Sequence, residues 1–141
     1  MRICICDDDL RIHDEIKQLI GEFFSQNDIP DFLDFSSGEE LLLHYSKGNE
    51  FDIIFLDIEM SEINGIETAE EIRKTSPEAI IIFVSSHKNY VFDAFRCEAL
   101  HFLVKPIDKA EFNDVFNRAM NKYRSTRNFL PLQWQNTRMN I

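Results

Sequence analysis

Five short apolar runs alternate with stretches of helical periodicity, and this constrains the chain more than any other feature. Ile3 to Cys6 is an apolar run that ends on three acids. Residues ~10–25 then place Leu10, Ile16, Leu19, Ile20 and Phe23 on one side of a helix. Asp31 to Phe35 is a weaker strand, and Ser37-Gly-Glu-Glu40 has the capping-box pattern that opens a helix through Leu41 to Tyr45. Phe51 to Leu56 is a strongly apolar strand ending on Asp57, and Asn64 to Lys74 reads as a helix that stops before Pro77. Ala79 to Val84 suits a strand buried on both faces and ends on Ser85-Ser86. A short helix over ~88–96, a fifth strand from Leu100 to Val104 and a helix over ~108–124 complete the pattern. Phe112, Val115, Phe116 and Ala119 form the last helix's apolar stripe. Alternation of this kind implies an α/β fold with a parallel sheet and helices on both faces. Right-handed crossovers leave few topologies open.

The polar residues fall where such a sheet would use them. Asp7 and Asp8 follow the first strand, Asp57 the third, Ser85 the fourth and Lys105 the fifth. In an open parallel sheet the C-terminal strand ends share one edge, and ligands bind there. Three carboxylates brought together repel one another, and a divalent cation relieves the repulsion. Ligands that are all oxygen favour Mg2+. A carboxylate can itself be a nucleophile and form an aspartyl phosphate. Mg2+, the Lys105 ammonium and the Ser85 hydroxyl would then neutralise charge on the transferring group. Taken singly, each residue has a plainer use. Asp7, Asp8 and Asp9 suit a helix N-terminus, Asp57 a turn and Ser85 a cap. Their joint placement at successive strand ends favours a site.

Composition excludes several other classes. The net charge is −10, and residues 124–141 hold Arg124, Arg127 and Arg138 but no acid. With three of the 15 Lys and Arg in that tail, residues 1–123 carry 12 bases against 25 acids, a net of −13. Such a body repels a phosphate backbone and is not expected to bind nucleic acid itself. The change of composition marks a boundary near Tyr123. No apolar run approaches the ~20 residues of a membrane span. The N-terminus lacks a signal-peptide layout, so a cytoplasmic location without membrane contact is expected. Cys4, Cys6 and Cys97 are an odd set for a disulfide framework and read as small buried residues. His13, His44, His87 and His101 are scattered and offer no metal cluster.

The segments Ile3-Cys-Ile-Cys-Asp7-Asp8-Asp9, Phe55-Leu-Asp57-Ile-Glu-Met60, Gly65, Val84-Ser85-Ser86 and Phe102-Leu-Val-Lys105-Pro106 together resemble the receiver domain of two-component response regulators. The resemblance covers residues 1–124. It implies a flavodoxin-like sheet of order 2-1-3-4-5 and makes Asp57 the phosphoacceptor, served by a sensor histidine kinase. It implies that Asp7 and Asp8 hold Mg2+, with Asp8, Asp57 and the Glu59 backbone carbonyl as direct ligands. Ser85 and Phe102 match the switch residues, and Lys105 matches the phosphate-pairing lysine, with a cis bond to Pro106. One departure is Ser61, where family members usually carry Pro. This puts the loop after Asp57 in question. Glu59 and His87 stand where the family tunes phosphate lifetime.

Phe83 to Ile107 further resembles receivers that precede a LytTR-type DNA-binding domain, and Phe129 to Ile141 resembles the first strands of such a domain. Residues 125–141 are therefore expected to be a linker and the start of a C-terminal DNA-binding domain. DNA contact is expected only through that domain, and dimerisation through the fourth helix, fifth strand and fifth helix. The chain is expected to assist its own phosphorylation and dephosphorylation without being an enzyme. Two alternatives stay open. One is a stand-alone receiver acting by protein contact. The other is a phosphatase-like hydrolase with an aspartyl-phosphate intermediate, which would carry Asp where Glu59 stands.

Overall fold

The computed structural model describes the backbone of residues 1–139 and the side chains of residues 1–127. In chain order the elements are β1 (Arg2–Cys6), α1 (Leu10–Gly21), β2 (Asp31–Phe35), α2 (Gly38–Ser46), β3 (Ile53–Leu56), α3 (Gly65–Thr75), β4 (Ile80–Ser85), α4 (Val91–Arg96), β5 (His101–Val104) and α5 (Lys109–Met139). A 3-10 turn, Lys88–Tyr90, leads into α4. The strands form one sheet of order β2-β1-β3-β4-β5, and every pairing is parallel.

Strand alternation divides the core between the two faces. Cys4, Cys6, Ile54, Leu56, Ile81 and Phe83 pack with Leu41, Ile66, Ala69, Ile72 and Ala94, so α2, α3 and α4 cover one face. Ile3, Ile5, Ile53, Phe55, Ile82 and Leu103 pack with Ile16, Ile20, Phe112, Val115 and Phe116, so α1 and α5 cover the other. Phe55 stacks on Phe112 at 5.7 Å, and Phe112 on Phe116 at 5.9 Å, which seats α5 on β3. Aromatic pairs of this kind add ~0.5–1.5 kcal/mol beyond the area they bury. All three cysteines are buried and free, as small core residues should be.

The structure corrects three sequence readings. Leu10 is 70% exposed, and the inward positions of α1 are His13, Ile16 and Ile20. Asp9 caps the helix, so Leu10 is its first residue, and burial begins one turn later at His13. The helix stops at Gly21, and Phe23 and Phe24 reach Phe116 from the turn that follows. At the other end, α5 runs to Met139, where strands were expected from Phe129 onward. A helix satisfies its backbone groups within itself, whereas a strand needs a neighbouring edge. The 124/125 division thus falls inside one helix, and residues 140–141 lie outside the described residues.

Candidate functional site

Parallel pairing carries past the strand ends and sets the site. The Asp7 amide donates to the Phe35 carbonyl at 3.0 Å, the Asp57 amide to Cys6 at 2.9 Å and the Lys105 amide to Ser85 at 3.0 Å. These bonds draw the residues after β1, β3 and β5, with Ser85 at the end of β4, to one edge of the sheet. The loop after Asp57 is closed by the Gly65 amide, which donates to the Ile58 carbonyl at 2.9 Å. Any Cβ at Gly65 would overlap the Asp57 carbonyl oxygen, so only glycine lets α3 start this close to the loop after β3. Asn64 and Glu67 form a reciprocal capping box at that helix start. Glu62 takes a positive φ of 66°, so the loop that carries Ser61 turns through a left-handed residue. The Lys105–Pro106 bond is cis.

Carboxylate oxygens of Asp7, Asp8 and Asp57 lie within 4.8 Å of one another. Asp7 and Asp57 are buried and Asp8 is exposed. Lys105 Nζ donates to Asp7 Oδ2 at 2.8 Å and lies 3.6 Å from Asp57 Oδ2. Asp57 Oδ1 accepts from the Ile58 amide at 2.8 Å. Burial, and next the Asp7 charge, push the Asp57 carboxyl up to about 6, against the pull of Lys105. Burial pulls the Lys105 ammonium down, but the bond to Asp7 and the charges of Asp57 and Asp7 outweigh it, so its proton is held more tightly than usual. One ammonium therefore faces three carboxylates. That excess of hard oxygen donors, one side open to water, fits Mg2+, which keeps several waters in its shell.

The other expected residues divide. Ser85 is fully buried, and its hydroxyl oxygen accepts from the His87 amide at 3.1 Å, so here it caps the turn into the α4 region. Phe102 is half-buried, with its ring 6.4 Å from that of Phe83. It lines a groove of ≈ 380 Å³ between α4 and β5 with Val91, Phe95 and His101. Glu59 is exposed in the loop after Asp57. Sequence reasoning missed His13, which is buried with Nε2 2.8 Å from the Asp7 carbonyl oxygen. Its signal was a polar residue in phase with Ile16 and Ile20.

The sequence profile of the response regulator receiver domain matches residues 3–117. The chain is 34% identical over 120 residues to the sensory transduction protein LytT of Oceanobacillus iheyensis, covering 84% of this chain and 47% of that one. It is 31% identical over 127 residues to the transcriptional regulatory protein LytR of Staphylococcus aureus, covering 90% and 48%. The chain thus spans about half the length of the curated relatives it matches. Among solved structures, it is similar to the Thermotoga maritima response regulator TrrA in complex with Mg2+ and a beryllium fluoride, at 31% identity and a TM-score of 0.68 over 84% of this chain and 97% of that one. The response regulatory domain of mrkE from Klebsiella pneumoniae superposes with a TM-score of 0.78 at 24% identity, over 89% and 99%.

Proposed function

The chain belongs to the family of response regulator receiver domains, and from that premise we propose that it is a phosphorylation-driven switch whose acceptor is Asp57. The observation that carries the reading is the joining of three carboxylates and one ammonium at a single sheet edge, with Asp57 buried among them. Asp57 Oδ1 is engaged by the Ile58 amide, which leaves Oδ2, on the Lys105 side, as the attacking oxygen. A bond forms from Oδ2 to phosphorus as the P–N bond of a kinase phosphohistidine breaks. Lys105 then pairs with the phosphoryl oxygens. Asp7, Asp8, Asp57 and the Glu59 carbonyl would hold Mg2+, which supplies charge neutralisation at the phosphoryl group. Ser85 must release the His87 amide before its hydroxyl can turn to the phosphate, and Phe102 follows it inward. Assistance to its own phosphorylation and hydrolysis comes from the same groups, in a chain that is a switch rather than an enzyme.

Output runs through the α4–β5–α5 face, where Phe92 is 84% and Phe95 80% exposed, and the partner there is a second phosphorylated copy. The LytR relative, a transcriptional regulatory protein, supports a transcriptional output, and that output would act through a DNA-binding domain following α5. The setting is the cytoplasm. Among the described residues no helix is long and apolar enough to cross a membrane. The test is incubation of residues 1–141 with a small phosphodonor such as acetyl phosphate, with and without Mg2+. Mg2+-dependent label that Asp57→Asn abolishes is expected. Label of equal extent without the metal would overturn the mechanism.

A further inference from the structure

We propose that His13 is a positioning residue for the acidic pair: it fixes the Asp7–Asp8 peptide and through it aims the Asp8 carboxylate. The inference rests on the reading of Asp7, Asp8 and Asp57 as the Mg2+ and phosphate site. His13 is 3% exposed, one turn into α1, and helical side chains lean toward the N-terminus. Its ring therefore reaches back under the β1–α1 loop, where Nε2 stands 2.8 Å from the Asp7 carbonyl oxygen. A carbonyl can only accept, so Nε2 carries the proton. The other ring nitrogen, Nδ1, lies 3.2 Å from Asp34 Oδ1 without the alignment of a hydrogen bond. Asp34 is also paired with Lys17. The ring is thus wedged between β2 and the loop.

Every polar group of Asp7 is engaged. Its amide donates to Phe35, Oδ1 accepts from the Asp9 amide at 2.8 Å, Oδ2 accepts from Lys105, and its carbonyl accepts from His13. Asp8 is different. It is exposed, and no hydrogen bond holds its side chain among the described residues. Its direction is set by the backbone alone, through the peptide that carries the Asp7 carbonyl. Rotation of that peptide would swing Asp8 away from Asp57 and leave Asp7 nearly in place. The His13 N–H is the contact that opposes this rotation.

Calorimetric titration of Mg2+ into wild type, His13→Leu and His13→Gln tests the assignment. Leu keeps the bulk and loses the donor, and Gln keeps an N–H. Leu should weaken Mg2+ binding about tenfold, within the roughly 10- to 100-fold that partners of ligating groups carry, and Gln should restore most of it. Unchanged Mg2+ affinity in His13→Leu would overturn the proposal, even if that variant melts lower. If His13→Leu does not fold, the imidazole 15N shifts of the wild type decide: a proton on Nε2 coupled to the Asp7 carbonyl is expected, and a proton on Nδ1 alone would overturn it. Failure of the wild type to bind Mg2+ would remove the site reading and this inference together. Normal binding by the wild type with an unaffected Leu variant would remove only the role of His13.

Discussion

Asp57 is held charged at neutral pH in a place that disfavours the charge. Its folded value of about 6 lies above the carboxylate's ordinary 3.8. A raised carboxyl favours the folded state below its unfolded value, and that contribution is lost as pH rises through about 6. At pH 7.5 the metal-free protein therefore carries a penalty of at most ~3 kcal/mol from this one group. Asp57→Asn should melt higher than wild type in chelator at pH 7.5, and the gap should close as pH falls toward 4. Thermal unfolding across that range checks it, and a constant gap would contradict the electrostatic origin. Asp8→Asn should weaken Mg2+ binding and raise the melt in chelator by less than Asp57→Asn does, because that carboxylate is exposed and is only a minor contributor to the repulsion on Asp57. Titration calorimetry beside thermal unfolding measures both. At this scale Asp57 and Lys105 were legible because each ends an apolar run. His13 was not, because a lone polar residue in a helix stripe does not reveal which carbonyl it meets.

At the scale of elements, one contact sets the start of α3 against the site and another anchors the far end of the same helix. Gly65 lets α3 begin against the loop after β3, and a Cβ there would meet backbone atoms of both Asp57 and Ile58. Gly65→Ala should cost ~2–4 kcal/mol, since backbone gives way less easily than side chains, and should also slow phosphorylation. Urea unfolding and a labelling time course measure the two effects. On the opposite end of α3, the Arg73 guanidinium donates to the carbonyls of Cys97, Glu98, Ala79, Pro77 and, at 3.4 Å, Ser76. It ties α3 to the start of β4 and the end of α4. Arg73→Lys should destabilise the fold by ~1–3 kcal/mol, because a single ammonium cannot serve carbonyls spread around a planar fork. A melt within error of wild type would contradict this. The five βα units could be read from the sequence, since each strand is bounded by a polar residue at its end. The Arg73 clamp could not, since its partners are carbonyls and the residue looks like part of a solvated charged face.

The whole molecule combines a strongly acidic body with two exposed phenylalanines, Phe92 and Phe95, on α4. With 25 acids against 12 bases in residues 1–123, the body cannot supply the phosphate contacts that dominate DNA affinity. Residues 1–141 should show no sequence-specific DNA binding by anisotropy at moderate salt, and specific binding would contradict the expected division of labour. Dimerisation in the presence of Mg2+ and beryllofluoride should be lost on Phe92→Ser with Phe95→Ser, as read by sedimentation. The layering was legible because a continuously apolar β4 demands helices on both faces, whereas the strand order came only from the resemblance to receiver domains. The length of α5 was not, because whether 129–139 is helix or strand depends on what stands beside it. The central claim is that the phosphoryl group resides on Asp57. Wild type and Asp57→Asn should be treated with Mg2+ and acetyl phosphate, trapped with borohydride and mapped by peptide mass spectrometry. Modification confined to Asp57 in wild type, and none in the variant, is the expected result. Stoichiometric modification at another carboxylate, or its persistence in Asp57→Asn, would contradict the account.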